Sequence, residues 1–129
     1  AALLTHEAVH AVSRSPGLPG PLWVKEGLAE WVSAPTYRPQ RARNSALVVE
    51  AVASGDVGRL PPDADFQRRG VDLETAYALA QVAVDAAIVR WGRAAFTRWA
   101  ADWDAPGRAS DADLTSAFVA AASRVTREK

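Results

Sequence analysis

The 129 residues carry 15 basic and 15 acidic side chains, so the formal charge is zero with His neutral. A phosphate-binding footprint has no electrostatic basis on such a chain, and nucleic acid is not expected as a partner. Hydrophobic residues make up 49%, which excludes a disordered polypeptide, and no run approaches the roughly 20 apolar residues a membrane span needs. The length suits one domain. There is no Cys, which excludes disulfides and thiolate metal sites. There is also no Met, and the chain opens Ala1-Ala2-Leu3-Leu4 already on an apolar helical pattern. The expectation from these features is the downstream, C-terminal part of a longer protein.

An Ala-rich composition with few β-branched runs favours helices. A first helix is predicted over about 1–14, ended by Ser15-Pro16-Gly17-Leu18-Pro19-Gly20-Pro21, where three prolines and two glycines forbid continuation. A second covers about 22–33 and ends at Pro35. Residues 34–42 read as a loop, and a third helix over about 44–54 is announced by the N-cap types Asn44 and Ser45. Residues 55–71, with Gly55, Gly58, Pro61, Pro62 and Gly70, read as one long loop, a type that is often functional. Asp72 is expected to cap the longest helix, about 72–91, on which Leu73, Tyr77, Ala80, Val84, Ala87, Ile88 and Trp91 recur at steps of three and four. Gly92 breaks it, and Phe96, Trp99 and Trp103 continue the period on a fifth helix. Ser110 with Asp113 resembles a capping box that opens a last helix, whose Leu114, Phe118, Ala121 and Val125 face the core. No segment alternates with period two. The expectation is an all-α bundle of about six helices, residues 1–129 forming one domain.

The only two histidines both fall in His6-Glu7-Ala8-Val9-His10. Shuffling this composition produces an HExxH motif roughly once in a thousand trials, so chance is a poor account of it. On a helix, positions i and i+4 lie on one face, so both imidazoles can reach one metal ion. Glu7, next to the first ligand, can reach a metal-bound water and take its proton. A catalytic zinc site usually has three protein ligands and an open position. With no Cys and no third His, the third ligand must be a carboxylate. The next one is Glu26, sixteen positions after His10, in Trp23-Val24-Lys25-Glu26-Gly27-Leu28-Ala29-Glu30-Trp31. The Pro/Gly loop is long enough to reverse the chain and present Glu26 to the metal. Glu30 shares its helical face, and either accepts a hydrogen bond from a ligand imidazole or merely pairs with solvent or an Arg.

His-Glu-x-x-His followed by Trp-x-x-Glu-Gly-x-Ala-Glu-aromatic resembles the gluzincin metallopeptidases, most closely their peptidase-MA-like branch. The resemblance implies a zinc-dependent hydrolase of peptide bonds. In it His6, His10 and Glu26 bind Zn²⁺, Glu7 is the general base, and Glu30 matches the acid that orients the first His in thermolysin-like relatives. It also implies a peptide or protein substrate, and extracytoplasmic placement is common among similar proteins. Val57 through Asp63 and Tyr77 through Gly92 resemble stretches that follow in such proteins more loosely. Gluzincins carry a small β-sheet upstream of the motif helix, whose edge strand holds the substrate backbone. Only five residues precede His6 here, so that sheet is either absent or lies in an upstream domain of the same protein.

Stabilising a developing oxyanion needs a further donor. The candidates are Tyr37 and Tyr77. Tyr77 sits where a Tyr recurs in similar proteins, although its spacing also fits the core face. Arg68 and Arg69 are candidates to line a cleft from the long loop, set against the ordinary reading of paired Arg as solvated. Trp91, Trp99 and Trp103 follow core spacing, and Trp23 and Trp31 are expected to pack beneath the metal site. Two other readings stand beside the peptidase: a metal-binding or metal-free interaction module whose peptidase machinery has decayed, and a plain helical bundle with an accidental motif.

Overall fold

Leu22, Trp23, Val24, Gly27 and Ala29 put an apolar surface around most of a short helix, and the chain between the Pro/Gly segment and Pro35 has no breaker. The computed structural model, which describes residues 20–33, 38–55 and 57–128, forms α1 there, Leu22–Ser33. It is followed by α2 (Arg38–Ala53), a 3₁₀ turn at Asp63–Gln67, α3 (Gly70–Trp91), α4 (Arg93–Ala101) and α5 (Asp111–Glu128). There is no strand among the described residues, and the fold is all-α. The helix expected over 1–14 lies outside the described residues. No helix of the described residues is long and apolar enough to cross a membrane.

The 22-residue α3 is the axis of the bundle, packing against α1, α2, α4 and α5 and against the 3₁₀ turn. Its buried residues are Ala76, Ala78, Leu79, Ala80, Ala83, Val84, Ala86 and Ala87. Six of these eight are Ala, so neighbouring helices can approach its backbone closely on several sides. Larger side chains come from the partners: Trp23 and Val24 from α1, Val48 from α2, Phe96 and Trp99 from α4, and Leu114 and Phe118 from α5. Trp23 meets Phe96 at 6.2 Å between ring centroids and Trp103 edge-on at 5.8 Å. Trp91 and Trp99 lie 5.8 Å apart, also edge to face.

Several boundaries differ from the sequence expectation. Residues 38–42, expected as loop, are helical, and α2 starts at Arg38. Pro39 does not prevent this, because the first turn of a helix has no use for the missing N–H. Asn44 is therefore not a cap. It sits inside α2, buried, and its Nδ2 donates to Gln81 Oε1 on α3 at 2.8 Å. The long loop is not structureless, since it contains the 3₁₀ turn. The N-cap of α3 is Arg69 rather than Asp72. Gly70 adopts φ +62°, which turns the chain into the helix two residues early and leaves Asp72 in the first turn, where its charge faces the positive helix end.

Other expectations match. Gly92 ends α3 and opens α4 with no intervening loop, at φ 96° and ψ 149°, a conformation open only to glycine. Trp103 falls just past the end of α4, yet it still packs on Trp23 and under the Arg108 guanidinium at 4.4 Å. Ser110 caps α5, its Oγ accepting from the Asp113 N–H at 3.1 Å.

Candidate functional site

The helical conformation of α1 sets the relation among its motif residues. Glu26 and Glu30 stand one turn apart on a common side, and Gly27 is about 100° round the helix from Glu26. Glu26 is 2% exposed, one of two buried polar or charged side chains among the described residues, the other being Asn44. Glu30 is half-buried. A carboxylate out of water requires hydrogen bonds or a cation to hold it in its charged form.

Gly27, the residue after Glu26, is where α1 touches α3. A Cβ placed there would lie 2.4 Å from the Ala80 carbonyl oxygen and 2.6 Å from Val84 Cγ2. Only hydrogen fits in that space, so the Glu-Gly pair has two structural roles. Gly27 lets the helices close to backbone contact, and that closure fixes where the Glu26 backbone stands relative to α3. The glycine conformation itself is ordinary helix, so the reason for glycine is room rather than φ.

Two further contacts hold α1 in place. At its start, the Leu22 N–H donates to Asp63 Oδ1 at 2.9 Å, an N-terminal cap supplied from forty-one residues away. Near its end, Trp31 Nε1 donates to Asp85 Oδ1 on α3 at 3.2 Å. Trp23 packs into the aromatic group with Phe96 and Trp103. Both tryptophans thus pin the helix that carries Glu26, at opposite ends of it.

Tyr77 lies on α3 one turn before Ala80, the residue in contact with Gly27. Its ring is half-buried and rests against Phe66 of the 3₁₀ turn, with centroids 5.8 Å apart and planes at 58°. Tyr77 is thus a partly covered residue at the edge of the core, held by the loop, rather than a fully buried packing residue. The structure brings Glu26 and Tyr77 onto two helices that touch within one turn of each.

His6, Glu7, His10 and Tyr37 lie outside the described residues. Among the described residues, no group of three His, Cys, Asp or Glu side chains is placed to hold a metal ion. The described part contributes one buried carboxylate donor, Glu26, to the expected ligand set.

The long loop does line a cleft. Arg68 stands on its wall with Arg59 and Asp65, facing residues of α2 and of the first turns of α3; Arg69 is not part of the lining. Arg68 pairs with Asp65 at 3.4 Å. Neither Glu26 nor Tyr77 lines this cleft. The packing role of Gly27, the capping role of Asp63 and the membership of Arg59 in the cleft all depend on which segments meet, and no local pattern announces them.

No family model, no curated protein and no solved structure matches this chain.

Proposed function

We propose that this chain is a zinc-dependent peptidase of the gluzincin type, or the helical half of one. The observation that carries the reading is the HExxH motif at residues 6–10 followed by Glu26, a carboxylate 2% exposed on a helix held to backbone contact by the adjacent Gly27. A buried carboxylate fits the donor chemistry of a zinc ligand, because a cation is one partner that keeps it charged.

In this reading His6, His10 and Glu26 hold the ion. Zn²⁺, when bound, lowers the pKa of water to about 7 and polarises the scissile carbonyl. Glu7 takes the proton from the attacking water, a task for a carboxylate beside the ligand set. Glu30, one turn beyond Glu26, accepts a hydrogen bond from a ligand imidazole and so orients it. Tyr77, steadied by Phe66, donates toward the carbonyl oxygen as that atom gains negative charge.

The experiment combines elemental analysis with hydrolysis of a peptide pool. The wild-type chain is expected to carry stoichiometric zinc and to cleave. Glu7→Gln is expected to keep zinc and lose cleavage, whereas Glu26→Gln is expected to lose zinc. Hydrolysis that survives Glu7→Gln in protease-free protein would refute the mechanism. Stoichiometric zinc without turnover on any peptide would favour the decayed interaction module instead.

A further inference from the structure

The cleft beside the long loop has a volume of about 300 Å³ and lies between the C-terminal half of α2, residues 59–68 and the first turns of α3. Its floor is apolar, made by Leu47 and Ala51 of α2 and Ala76 and Leu79 of α3, all buried. Charges of both signs stand above that floor. Arg59, Arg68 and Asp65 stand on the loop wall, while Glu50 and Asp72 stand on the helical walls. Among the described residues, the ion pair at the cleft, Arg68 with Asp65, stays within the loop wall, and none crosses from wall to wall.

The walls are anchored independently, so the cleft is formed before any ligand arrives. Asn44 with Gln81 and Arg43 with Glu74 tie α2 to α3. Asp63 at the start of α1 and Phe66 against Tyr77 tie down the loop. Pre-organisation of this kind lowers the ordering cost of binding.

We propose that this cleft binds a small zwitterion with an apolar side chain, a free amino acid or dipeptide. The ligand carboxylate meets the guanidinium of Arg59, since Arg68 is held by Asp65. Its ammonium group meets Glu50 and Asp72, and its side chain covers the floor of Leu47, Ala51, Ala76 and Leu79. With Arg68 held by Asp65, a simple anion would satisfy Arg59 but not Glu50 and Asp72, and a simple cation the reverse, whereas a molecule with both charges meets both walls. The volume stands at the low end of small-molecule pockets, which run to roughly 300–1,000 Å³, and this limits the ligand to about one or two residues.

The test is titration of the full chain with L-leucine, leucyl-leucine and the uncharged N-acetyl-leucinamide, followed by calorimetry and by amide chemical shifts. Leucine or leucyl-leucine is expected to bind at millimolar concentration or below, shifting amides of residues 47–54 and 70–79, and the uncharged amide is not. Arg59→Gln and Glu50→Gln are each expected to weaken binding about tenfold, which corresponds to about 1.4 kcal/mol. Both side chains are exposed, and circular dichroism verifies that each variant is folded. Arg69→Gln, outside the lining, is expected to bind as wild type. Absence of binding by both zwitterions, equal binding of the uncharged amide, or wild-type affinity in both cleft variants would each overturn the proposal. Chelation of metal with EDTA is expected to leave binding unchanged, so this site stands or falls separately from the zinc reading.

Discussion

Replacing Gly27 with Ala tests the central packing contact directly. In an exposed helix interior that substitution stabilises by about 1 kcal/mol, because glycine is the poorer helix former. Here the new methyl would sit 2.4 Å from the Ala80 carbonyl oxygen, 2.8 Å from its carbon and 2.6 Å from Val84 Cγ2. Ordinary contact begins near 3.4 Å, so α1 must retreat from α3 by about 1 Å at this point. The atoms in the way are mainly backbone, which has no rotamer to change. Retreat loosens the packing of Trp23, Val24 and Ala29, all buried on the same helix. Overpacking of a filled core costs about 1–3 kcal/mol and occasionally more. A cost at the upper end, less the propensity gain, leaves a net loss of about 2 kcal/mol, or a Tm lower by about 6–10 °C. Urea denaturation followed by tryptophan fluorescence and far-UV circular dichroism measures it. Gly58→Ala is the control, since a Cβ there meets nothing within 4 Å, and it is expected to stay within about 0.5 kcal/mol of wild type. An unchanged or raised midpoint for Gly27→Ala would refute the contact and, with it, the account of how Glu26 is positioned.

Two further stability changes follow from particular contacts. Asp63→Ala removes the cap at Leu22 and Ser110→Ala the cap at Asp113, each at about 1 kcal/mol by chemical denaturation. Asp63→Ala is also expected to raise amide exchange at the start of α1, far from the substitution in sequence, and no change there would rule out the long-range cap. Phe118→Ala removes a fully buried ring between α5 and the rest of the core and is expected to cost about 3–5 kcal/mol, read as a midpoint shift. A loss below 1 kcal/mol would mean that α5 is not docked as described.

The helical class was legible because it depends on local signals. Alanine content, caps and apolar steps of three and four act within a few residues, and α1, α4 and α5 appeared close to where the pattern placed them. The errors occurred where a local signal has two meanings. Residues 34–42 read as a loop, yet Pro39 within them is compatible with a first helical turn, and Asn44 reads as a cap but is a buried hydrogen-bonding residue inside α2. The candidate site was legible in part for the same reason. Spacing in HExxH and in Glu26-Gly27-x-x-Glu30 is a property of one helix turn, and the structure supplies the helix for the second motif.

By itself, then, the sequence determined that this protein is built of helices and that its metal-ligating inventory consists of two histidines and carboxylates. Only the tertiary structure decided that Glu26 is buried, because burial is a property of what packs against a side chain. It likewise decided that Gly27 is the point of contact with Ala80 and Val84, that Asp63 caps a helix forty-one residues away, and that Leu47 and Ala51 of α2 meet Ala76 and Leu79 of α3 at the floor of one cleft. Each of these depends on two segments distant in sequence meeting at a definite place, and the hydrophobic collapse that brings them together is not encoded in any single window of the chain.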